Sequence, residues 1–208
     1  MIGSEEDARS FCSARCDLAA FQALERFVGL LARENEKQNL VSKPSVGAVW
    51  QRHIADSLQL LDHVPGGAAP WLDLGSGAGF PGLALAIARP ELPIVLVESR
   101  KRRIEWLTSV INELQLQHCV VRGSRLETVE SFDAAVITAR AFAPLSRLVD
   151  LSARFSTRST VWLLPKGRSG EQELAEQKIT VRAMFHVEQS VTDAESKILV
   201  GRGRPPVR

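Results

Sequence analysis

Residues 71–82 read WLDLGSGAGFPG, an apolar stretch that ends at Leu74 and runs directly into closely spaced glycines. This pattern predicts a strand, a tight turn and the start of a helix, because glycine permits positive φ and lets a ligand approach the backbone closely. Gly77, Gly79 and Gly82 also match the G-x-G-x-x-G fingerprint of dinucleotide-binding folds, a weak signal by itself. The sequence therefore predicts a ligand-binding turn at the carboxyl end of a strand.

Two carboxylates near this turn favour S-adenosylmethionine (SAM) over a dinucleotide. Asp73 lies two residues before Gly75, where we expect it to meet the positively charged amino group of the methionine moiety, whereas it would repel a diphosphate. Glu98 ends the next predicted strand, where an acidic side chain binds ribose hydroxyls in either cofactor. The order Asp-x-Gly-x-Gly-x-Gly resembles the first motif of class I SAM-dependent methyltransferases. We therefore predict a SAM site that includes Asp73 and Glu98.

Short apolar runs and helical patterns alternate around this turn. The runs predict strands at 71–74, 94–97, 119–121, 134–137 and 161–164, with helices at 81–89, 100–115 and 144–154. A closing antiparallel hairpin is predicted from 181–187 and 197–200. Such alternation is typical of βαβ units with a parallel sheet. The predicted fold class is α/β, with the mostly parallel seven-stranded, Rossmann-like sheet of class I SAM-dependent methyltransferases.

The first third of the chain is predicted to be helical. Apolar residues recur at helical spacing over 17–36 and 45–62, and Pro65-Gly66-Gly67 then breaks the pattern. We therefore expect residues 1–66 to form a helical extension packed on a methyltransferase core of residues 67–208. A chain of this size leaves no room for a separate RNA-binding domain.

Composition excludes several classes of protein. The 208 residues are 45% hydrophobic and 24% charged, which suits one packed domain. No apolar run reaches the ~20 residues of a membrane span, and the acidic N-terminus is unlike a secretory signal. Cys12, Cys16 and Cys119 lack the spacing of a metal site. We expect a cytoplasmic protein with reduced thiols and no metal, and a monomer because no long apolar stripe is evident.

The net charge of +2 is unevenly distributed. Residues 1–70 carry seven basic and nine acidic side chains, and residues 71–208 carry nineteen and fifteen. Basic clusters occur at 100–103 and in the tail at Arg202, Arg204 and Arg208. Such clusters suit a polyanion, and a solvated surface is the alternative explanation.

Seven short segments in a fixed order carry a family resemblance. They are NLVS (39–42), RHIADS (52–57), LDLGSGAGFPG (72–82), SRLE (124–127), FD (132–133), RAFA (140–143) and KG (166–167). Together they resemble the RsmG family, also called GidB or glucose-inhibited division protein B, over about residues 20–200. The resemblance implies a SAM-dependent enzyme that methylates N7 of a guanine in 16S ribosomal RNA, with the RNA or the small ribosomal subunit as its partner.

The resemblance also implies particular site residues. Gly75 and Phe80 are implied as SAM contacts in the loop, and we add Gly77 of the same turn. Leu126 and Glu127 are implied beside the adenine. Arg140, after the fourth strand, is implied in the SAM site and is our candidate catalytic residue. It is placed to hold the SAM carboxylate, a phosphate or guanine O6 rather than N7, because donation to N7 would compete with methylation.

The chemistry of the acceptor agrees with this implication. Methyltransferases that modify exocyclic amines carry an Asn/Asp-Pro-Pro-aromatic motif where this chain has residues 139–142, which read ARAF. Methylation of pyrimidine C5 needs a cysteine nucleophile, and none follows the fourth or fifth predicted strand. Guanine N7 has a lone pair and no proton to lose, so its methylation by in-line displacement needs orientation rather than a general base.

Several side chains are candidates for holding the RNA. They are Arg122, Arg125, Arg147 and Lys166 for phosphates, with the 100–103 cluster, and Phe80 or Phe142 for stacking a base. Solvated arginines and core aromatics are the alternative readings. His53 and Asp56 lie on one helix face, where they tie the N-terminal helices over the cofactor or simply pack.

Two rival classes stay open from the sequence. A nicotinamide-dependent oxidoreductase is disfavoured by Asp73 and by the absence of a hydride-transfer pair in a chain without tyrosine. A non-catalytic module that binds RNA or SAM on the same fold stays open, because a fold does not fix a function.

Overall fold

The computed structural model describes residues 1–206 and contains one mixed sheet of seven strands. The strands are β1 (Trp71–Leu74), β2 (Ile94–Val97), β3 (Cys119–Arg122), β4 (Val136–Ala139), β5 (Val161–Lys166), β6 (Phe185–Gln189) and β7 (Lys197–Arg202). Their order is β3-β2-β1-β4-β5-β7-β6, and β7 runs antiparallel to both of its neighbours while β1 to β5 pair in parallel. The predicted fold class, including the antiparallel C-terminal hairpin, is confirmed. Arg208 of the basic tail lies outside the described residues.

Nine α-helices lie within the described residues. They are α1 (Glu5–Ser13), α2 (Leu18–Gln38), α3 (Lys43–Val46), α4 (Asp56–Leu58), α5 (Gly82–Ala88), α6 (Lys101–Glu113), α7 (Leu145–Ser152), α8 (Gly170–Ala175) and α9 (Ile179–Arg182). A π-helical turn spans Trp50–Ala55, and short 3-10 turns span Gln59–His63, Leu126–Thr128 and Ala153–Phe155. No helix within residues 1–206 is both long and apolar enough to span a bilayer.

The central strands bury both of their faces, as expected for parallel strands covered by helices. Side chains alternate along each strand, so Trp71 joins the hydrophobic cluster that contains residues of α2, α5 and α6. Leu72 and Leu74 join a second cluster with residues of α7. The sheet is therefore the middle layer of three, and its carboxyl edge is left for loops.

The predicted N-terminal helix over 17–36 corresponds to α2. Asp17 caps it by accepting a hydrogen bond from the amide of Ala20 (2.8 Å). Phe27 packs its ring 5.5 Å from Phe80 and 6.2 Å from Trp106, between centroids. The N-terminal helices and the sheet thus share one hydrophobic cluster. The division into an extension and a core stays a prediction.

Three sequence predictions about helices and strands were wrong in detail. The strand expected over 134–137 lies two residues later, at Val136–Ala139. The single helix expected over 45–62 is broken into the π-helical turn, α4 and a 3-10 turn. The strand expected over 181–187 begins only at Phe185, because Val181 lies in α9 and is buried there. Periodicity does not distinguish such short apolar runs, since a buried strand and one helical turn both bring apolar residues to the core. Helices α1 and α8 were not predicted.

Candidate active site

The glycine turn lies at the carboxyl edge of β1. Gly75 and Gly77 have φ of +66° and +54°, a region that glycine occupies without strain. A Cβ added at Gly75 would lie 2.6 Å from Cδ2 of Phe142, so the ring of the β4–α7 loop packs directly on the turn. The amide of Gly75 donates to the carbonyl oxygen of Val97 (2.8 Å), which fixes the turn against β2. The turn is therefore a rigid cradle with its backbone exposed to a ligand.

Glu98 fixes the other side of the cradle. Its Oε2 accepts from the amide of Gly77 (3.0 Å), and its Oε1 accepts from the amides of Ser99 (2.7 Å) and Arg100 (2.9 Å). The carboxylate has about four acceptor positions, so one position on Oε2 stays free for a ligand. Glu98, which we predict to bind the ribose, is thus oriented by backbone donors. It also lines the cleft described next.

A cleft of about 790 Å³ opens along the carboxyl ends of the strands. Six residues predicted for SAM line it: Gly75, Gly77, Phe80, Glu98, Leu126 and Glu127. Arg140 lines it as well, with the RNA candidates Arg125 and Arg147. This volume is that of a typical small-molecule site, and the carboxyl edge of an open α/β sheet is where such ligands bind.

Asp73 lies below the cleft rather than in its wall. The residue is fully buried, and its Oδ1 accepts from the hydroxyl of Thr138 (2.8 Å), its partner in the β1–β4 register. A Cβ on Gly82 would lie 2.6 Å from Asp73 Oδ2, so the carboxylate is packed against the start of α5. Burial raises the pKa of Asp73, and hydrogen bonds to it oppose the shift. The contact between Asp73 and the methionine amino group stays a prediction.

Arg140 follows β4 and is held by three groups from the N-terminal segment. Its guanidinium donates to the carboxylate of Asp56 (3.2 Å), to the carbonyl oxygen of Arg52 (3.3 Å) and to Nδ1 of His53 (3.2 Å). It also lies over the ring of Phe80, 5.2 Å from the centroid. One Nη2 hydrogen and the Nε hydrogen of the guanidinium have no hydrogen-bond partner among the described residues, and Arg140 lines the cleft. The proposed catalytic residue is thus oriented before any ligand binds.

His53 lies in the π-helical turn and Asp56 follows it directly, and both side chains contact Arg140. Such turns are frequent at functional sites. The imidazole of His53 stacks on Phe80, with 4.8 Å between the ring centroids. Because Arg140 donates to Nδ1, the ring proton is assigned to Nε2, which is buried without a partner within residues 1–206. These contacts join the N-terminal segment to the loop after β4, and its closure over the cofactor stays a prediction.

His53 is expected to make the protein less stable in acid. Burial, and then the charges of Arg140 and Arg52, lower the pKa of His53 from 6.5 to about 3. Below pH 6.5 the unfolded chain therefore binds a proton at His53, whereas the folded protein does not bind this proton until about pH 3. Wild-type protein should lose about 2 kcal/mol of unfolding free energy between pH 7 and pH 5 through this group alone.

Urea unfolding at both pH values checks this expectation. His53→Asn should remove that part of the loss, whereas His118→Asn, at an exposed histidine, should keep it. Equal pH dependence in the wild type and His53→Asn would contradict a neutral, buried His53.

Part of the basic cluster at 100–103 has a structural role. Arg102 donates to the carbonyl oxygen of Lys37 (3.0 Å) and Arg103 to that of Asn39 (2.8 Å), both at the end of α2. Cations at a helix C-terminus satisfy its free carbonyls and complement its dipole. Arg100 and Arg103 both line the cleft. Arg102 and Arg103 thus also contact the end of α2, and contact of the cluster with a polyanion stays a prediction.

The RNA candidates are distributed over three places. Arg125 and Arg147 line the cleft, and Arg147 lies 3.9 Å from the carboxylate of Glu127. Arg122 is exposed at the end of β3, outside the cleft lining. Lys166 is largely buried, and its ammonium is paired with Glu173 (2.8 Å) beside a second cleft. Their contacts with RNA stay predictions.

Sequence reasoning missed Thr138 and Glu173. Thr138 lies in an apolar strand, and its position opposite Asp73 follows only from the β1–β4 register. Glu173 lies in α8, a six-residue helix too short to show an apolar stripe, so periodicity did not single it out. No group of three or more His, Cys, Asp or Glu side chains within residues 1–206 is arranged to hold a metal ion.

Solved structures define the class of this fold. The chain is similar to a mutant of MtNAS in complex with S-adenosylmethionine, with a TM-score of 0.55 and 15% identity over 90% of this chain and 77% of that one. It is also similar to geranyl diphosphate C-methyltransferase from Streptomyces coelicolor in complex with S-adenosyl-L-homocysteine, with a TM-score of 0.54, 14% identity and coverage of 72% and 78%. The architecture is that of a class I SAM-dependent methyltransferase.

Sequence comparisons define the family. The family described as rRNA small subunit methyltransferase G matches residues 20–200. Ribosomal RNA small subunit methyltransferase G of Erythrobacter litoralis is 59% identical over 98% of this chain and 99% of its own length. The protein of the same name from Sphingopyxis alaskensis is 57% identical, with coverage of 87% and 78%. The chain belongs to the rRNA small subunit methyltransferase G family, so the resemblance found in the seven segments is confirmed.

Proposed function

We propose that this protein transfers a methyl group from SAM to N7 of a guanine in 16S ribosomal RNA, as a monomer in the cytoplasm and without a general base. The observation that carries the proposal is the cleft itself. It brings the glycine turn, a carboxylate with a free acceptor position and an oriented arginine together at the carboxyl edge of the sheet. Family membership adds rRNA as the class of acceptor.

The residues of the cleft fit SAM. A side chain at Gly75 would clash with the Phe142 ring, and both Gly75 and Gly77 have positive φ, so the turn presents backbone to the ligand. Glu98 is placed to accept from ribose hydroxyls, and Leu126 offers an apolar contact for the adenine. When bound, SAM supplies a methyl group on a positively charged sulfur. We assign Asp73 to the support of the turn, in addition to its predicted contact with the methionine amino group.

The chemistry required of the protein is mainly orientation. Guanine N7 carries a lone pair and no proton, so bond formation at N7 leaves no proton to remove. Holding the base and the methyl donor at attack distance is then the main contribution to rate. Arg140 contacts the methyl donor through the SAM carboxylate, or the acceptor RNA through guanine O6 or a phosphate. Phe142, packed on the turn, offers a face for stacking the base.

The structure disfavours nucleophilic catalysis by cysteine. Cys119 begins β3, at the edge of the sheet opposite the cleft, and burial raises the pKa of its thiol to about 12. Cys12 lies in α1, and burial raises its thiol pKa to about 12 as well. Thiols of such high pKa are not nucleophiles at neutral pH. This supports an acceptor whose methylation needs no covalent intermediate.

Transfer of labelled methyl groups tests the proposal. Purified protein is incubated with methyl-labelled SAM and either a 16S rRNA transcript or small subunits that lack this modification. Label is expected in 7-methylguanosine after digestion, from at least one of the two substrates. A transcript made with 7-deazaguanosine should accept none, because carbon replaces N7.

Two outcomes would contradict the proposal. Binding of SAM without transfer to either substrate would favour the non-catalytic binding module. Label in a methylated exocyclic amine or pyrimidine would refute the N7 assignment.

A further inference from the structure

A second cleft of about 630 Å³ adjoins the first one. Both clefts are lined by Arg140, Ala141 and Phe142, so this loop is the wall between them. Ala141 has φ of +54°, an unusual conformation for a residue with a Cβ, of the kind that occurs at functional sites. Phe142 therefore presents part of its side chain to each cleft.

The far side of the second cleft carries an ion pair between Lys166 and Glu173. The two charged groups are 2.8 Å apart, and their side chains are 11% and 28% exposed. Glu173 Oε2 accepts from Lys166 and from the amide of Leu145 (3.3 Å), and Oε1 accepts from the hydroxyl of Ser169 (3.1 Å). Three of about four acceptor positions are therefore filled, and one on Oε1 is free. Lys166 has three donor hydrogens and uses one on Glu173.

The other carboxylate of this cleft, Asp56, is less exposed, with 16% of its side chain accessible, and it is paired with Arg140. Asp56 Oδ1 accepts from Gln59 (2.8 Å) and Thr192 (3.0 Å), and Oδ2 accepts from Arg140. Hydrogen bonds to Lys166, Ser169 and Leu145 lower the pKa of Glu173, against its partial burial. In the lining of the second cleft, Glu173 and Lys166 thus offer one charged acceptor and one charged donor side by side.

We propose that the Lys166–Glu173 pair recognises the Watson–Crick edge of the acceptor guanine, an inference that rests on the proposed function. That edge presents two neighbouring donors, N1–H and the N2 amino group, next to the O6 acceptor. The free position on Glu173 Oε1 accepts from the N2 amino group, and Lys166 donates to O6. Adenine places a lone pair at N1 and an amino group at the sixth position, so the pair rejects it. This is how enzymes that take a base out of a stack usually identify it.

The same arrangement assists the reaction. N7 lies on the edge of guanine away from N1 and N2, so a base held by Glu173 leaves N7 free to point at the cofactor cleft. The base gains a positive charge as the bond to N7 forms. A fixed carboxylate beside the N1–H stabilises that charge. Glu173 therefore acts in both binding and rate.

Replacing the acceptor guanine with inosine tests the inference. Inosine keeps N7, O6 and N1–H and lacks only the N2 amino group. The methylated position is first mapped in the wild-type product by aniline cleavage, and RNA with inosine at that position is then assembled by ligation. Wild-type kcat/KM should be about 10- to 100-fold lower for inosine, the effect of losing one hydrogen bond to a charged group.

The variant Glu173→Gln keeps the shape of the side chain and removes its charge. Its kcat/KM for guanine should fall about 10- to 100-fold, and its preference for guanine over inosine should shrink to near one. SAM affinity, measured by calorimetry, should stay at the wild-type value. Glu171→Gln, two residues away on α8 and outside the cleft lining, is the matched control and should behave as wild type.

The outcomes separate this inference from the proposed function. An active wild type that shows no preference for guanine, or a Glu173→Gln enzyme that keeps the full preference, would overturn the inference alone. Absence of methyl transfer by the wild type, with SAM bound, would overturn the proposed function.

Discussion

Arg140→Ala should lower kcat on 16S rRNA by about 10²- to 10³-fold, because an oriented cation between donor and acceptor contributes through position and charge. The guanidinium is held by Asp56, His53 and Arg52, and it lies over Phe80. Rapid-quench measurement of a single turnover on mapped RNA isolates the chemical step. Arg140→Lys should restore little, since an ammonium cannot reproduce three contacts and still face a ligand.

Stability needs a separate control for this variant. Removal of Arg140 leaves Asp56 as a largely buried carboxylate without its cation, which costs about 1–3 kcal/mol. The double variant Asp56→Asn/Arg140→Ala should recover most of that stability and none of the activity. Recovery of activity in the double variant would show that Arg140 serves only to neutralise Asp56.

Much of the fold was accessible from the sequence because its signals are local. The strands β1, β2 and β5 are short apolar runs that begin where their patterns begin, and the glycine turn follows β1 without a gap. Parallel strands must join through helices, so the order of elements already restricts the sheet. The segment over 45–62 was harder, because its breaks depend on tertiary contacts. Glu5, for example, accepts from the amides of Trp50 and Gln51 at the start of the π-helical turn.

The candidate site was predictable where residues are consecutive and unpredictable where elements meet. Gly75, Gly77 and Glu98 follow strands directly, so their place at the carboxyl edge came from the sequence. The sequence does not show which way a carboxylate at this edge points. Asp73 lies beneath the turn, where it accepts a hydrogen bond from Thr138 opposite it. Arg103 belongs to a basic run in the sequence, and in the fold its guanidinium also donates to the end of α2. Charge runs do not reveal such neighbours.

The uneven charge has a clearer meaning in the folded protein. The N-terminal helices carry the acidic excess, and the segments after β1 carry the basic excess. Arg100, Arg125 and Arg147 line the cofactor cleft. A small net charge is therefore compatible with RNA binding, since phosphates respond to local clusters rather than to the total. Substrate recognition is thus expected on the face that holds the cofactor.

Glu98→Ala should weaken SAM binding by about 100-fold or more, because it removes an acceptor for ribose and three charge-assisted bonds that shape the turn. The amides of Gly77, Ser99 and Arg100 all donate to this carboxylate. Isothermal calorimetry with SAM measures the loss. Glu105→Ala, at an exposed position of α6, should bind SAM as the wild type does.

Binding of a 2′-deoxy analogue separates the two roles of Glu98. If the carboxylate contacts the ribose, wild-type protein should bind 2′-deoxy-S-adenosylhomocysteine about 10-fold more weakly than S-adenosylhomocysteine, and Glu98→Ala should bind both equally. If the carboxylate only shapes the turn, the preference for the 2′-hydroxyl should survive in the variant while both affinities fall together. The free acceptor position on Oε2, beside a glycine amide and open to the cleft, makes the first result the expected one.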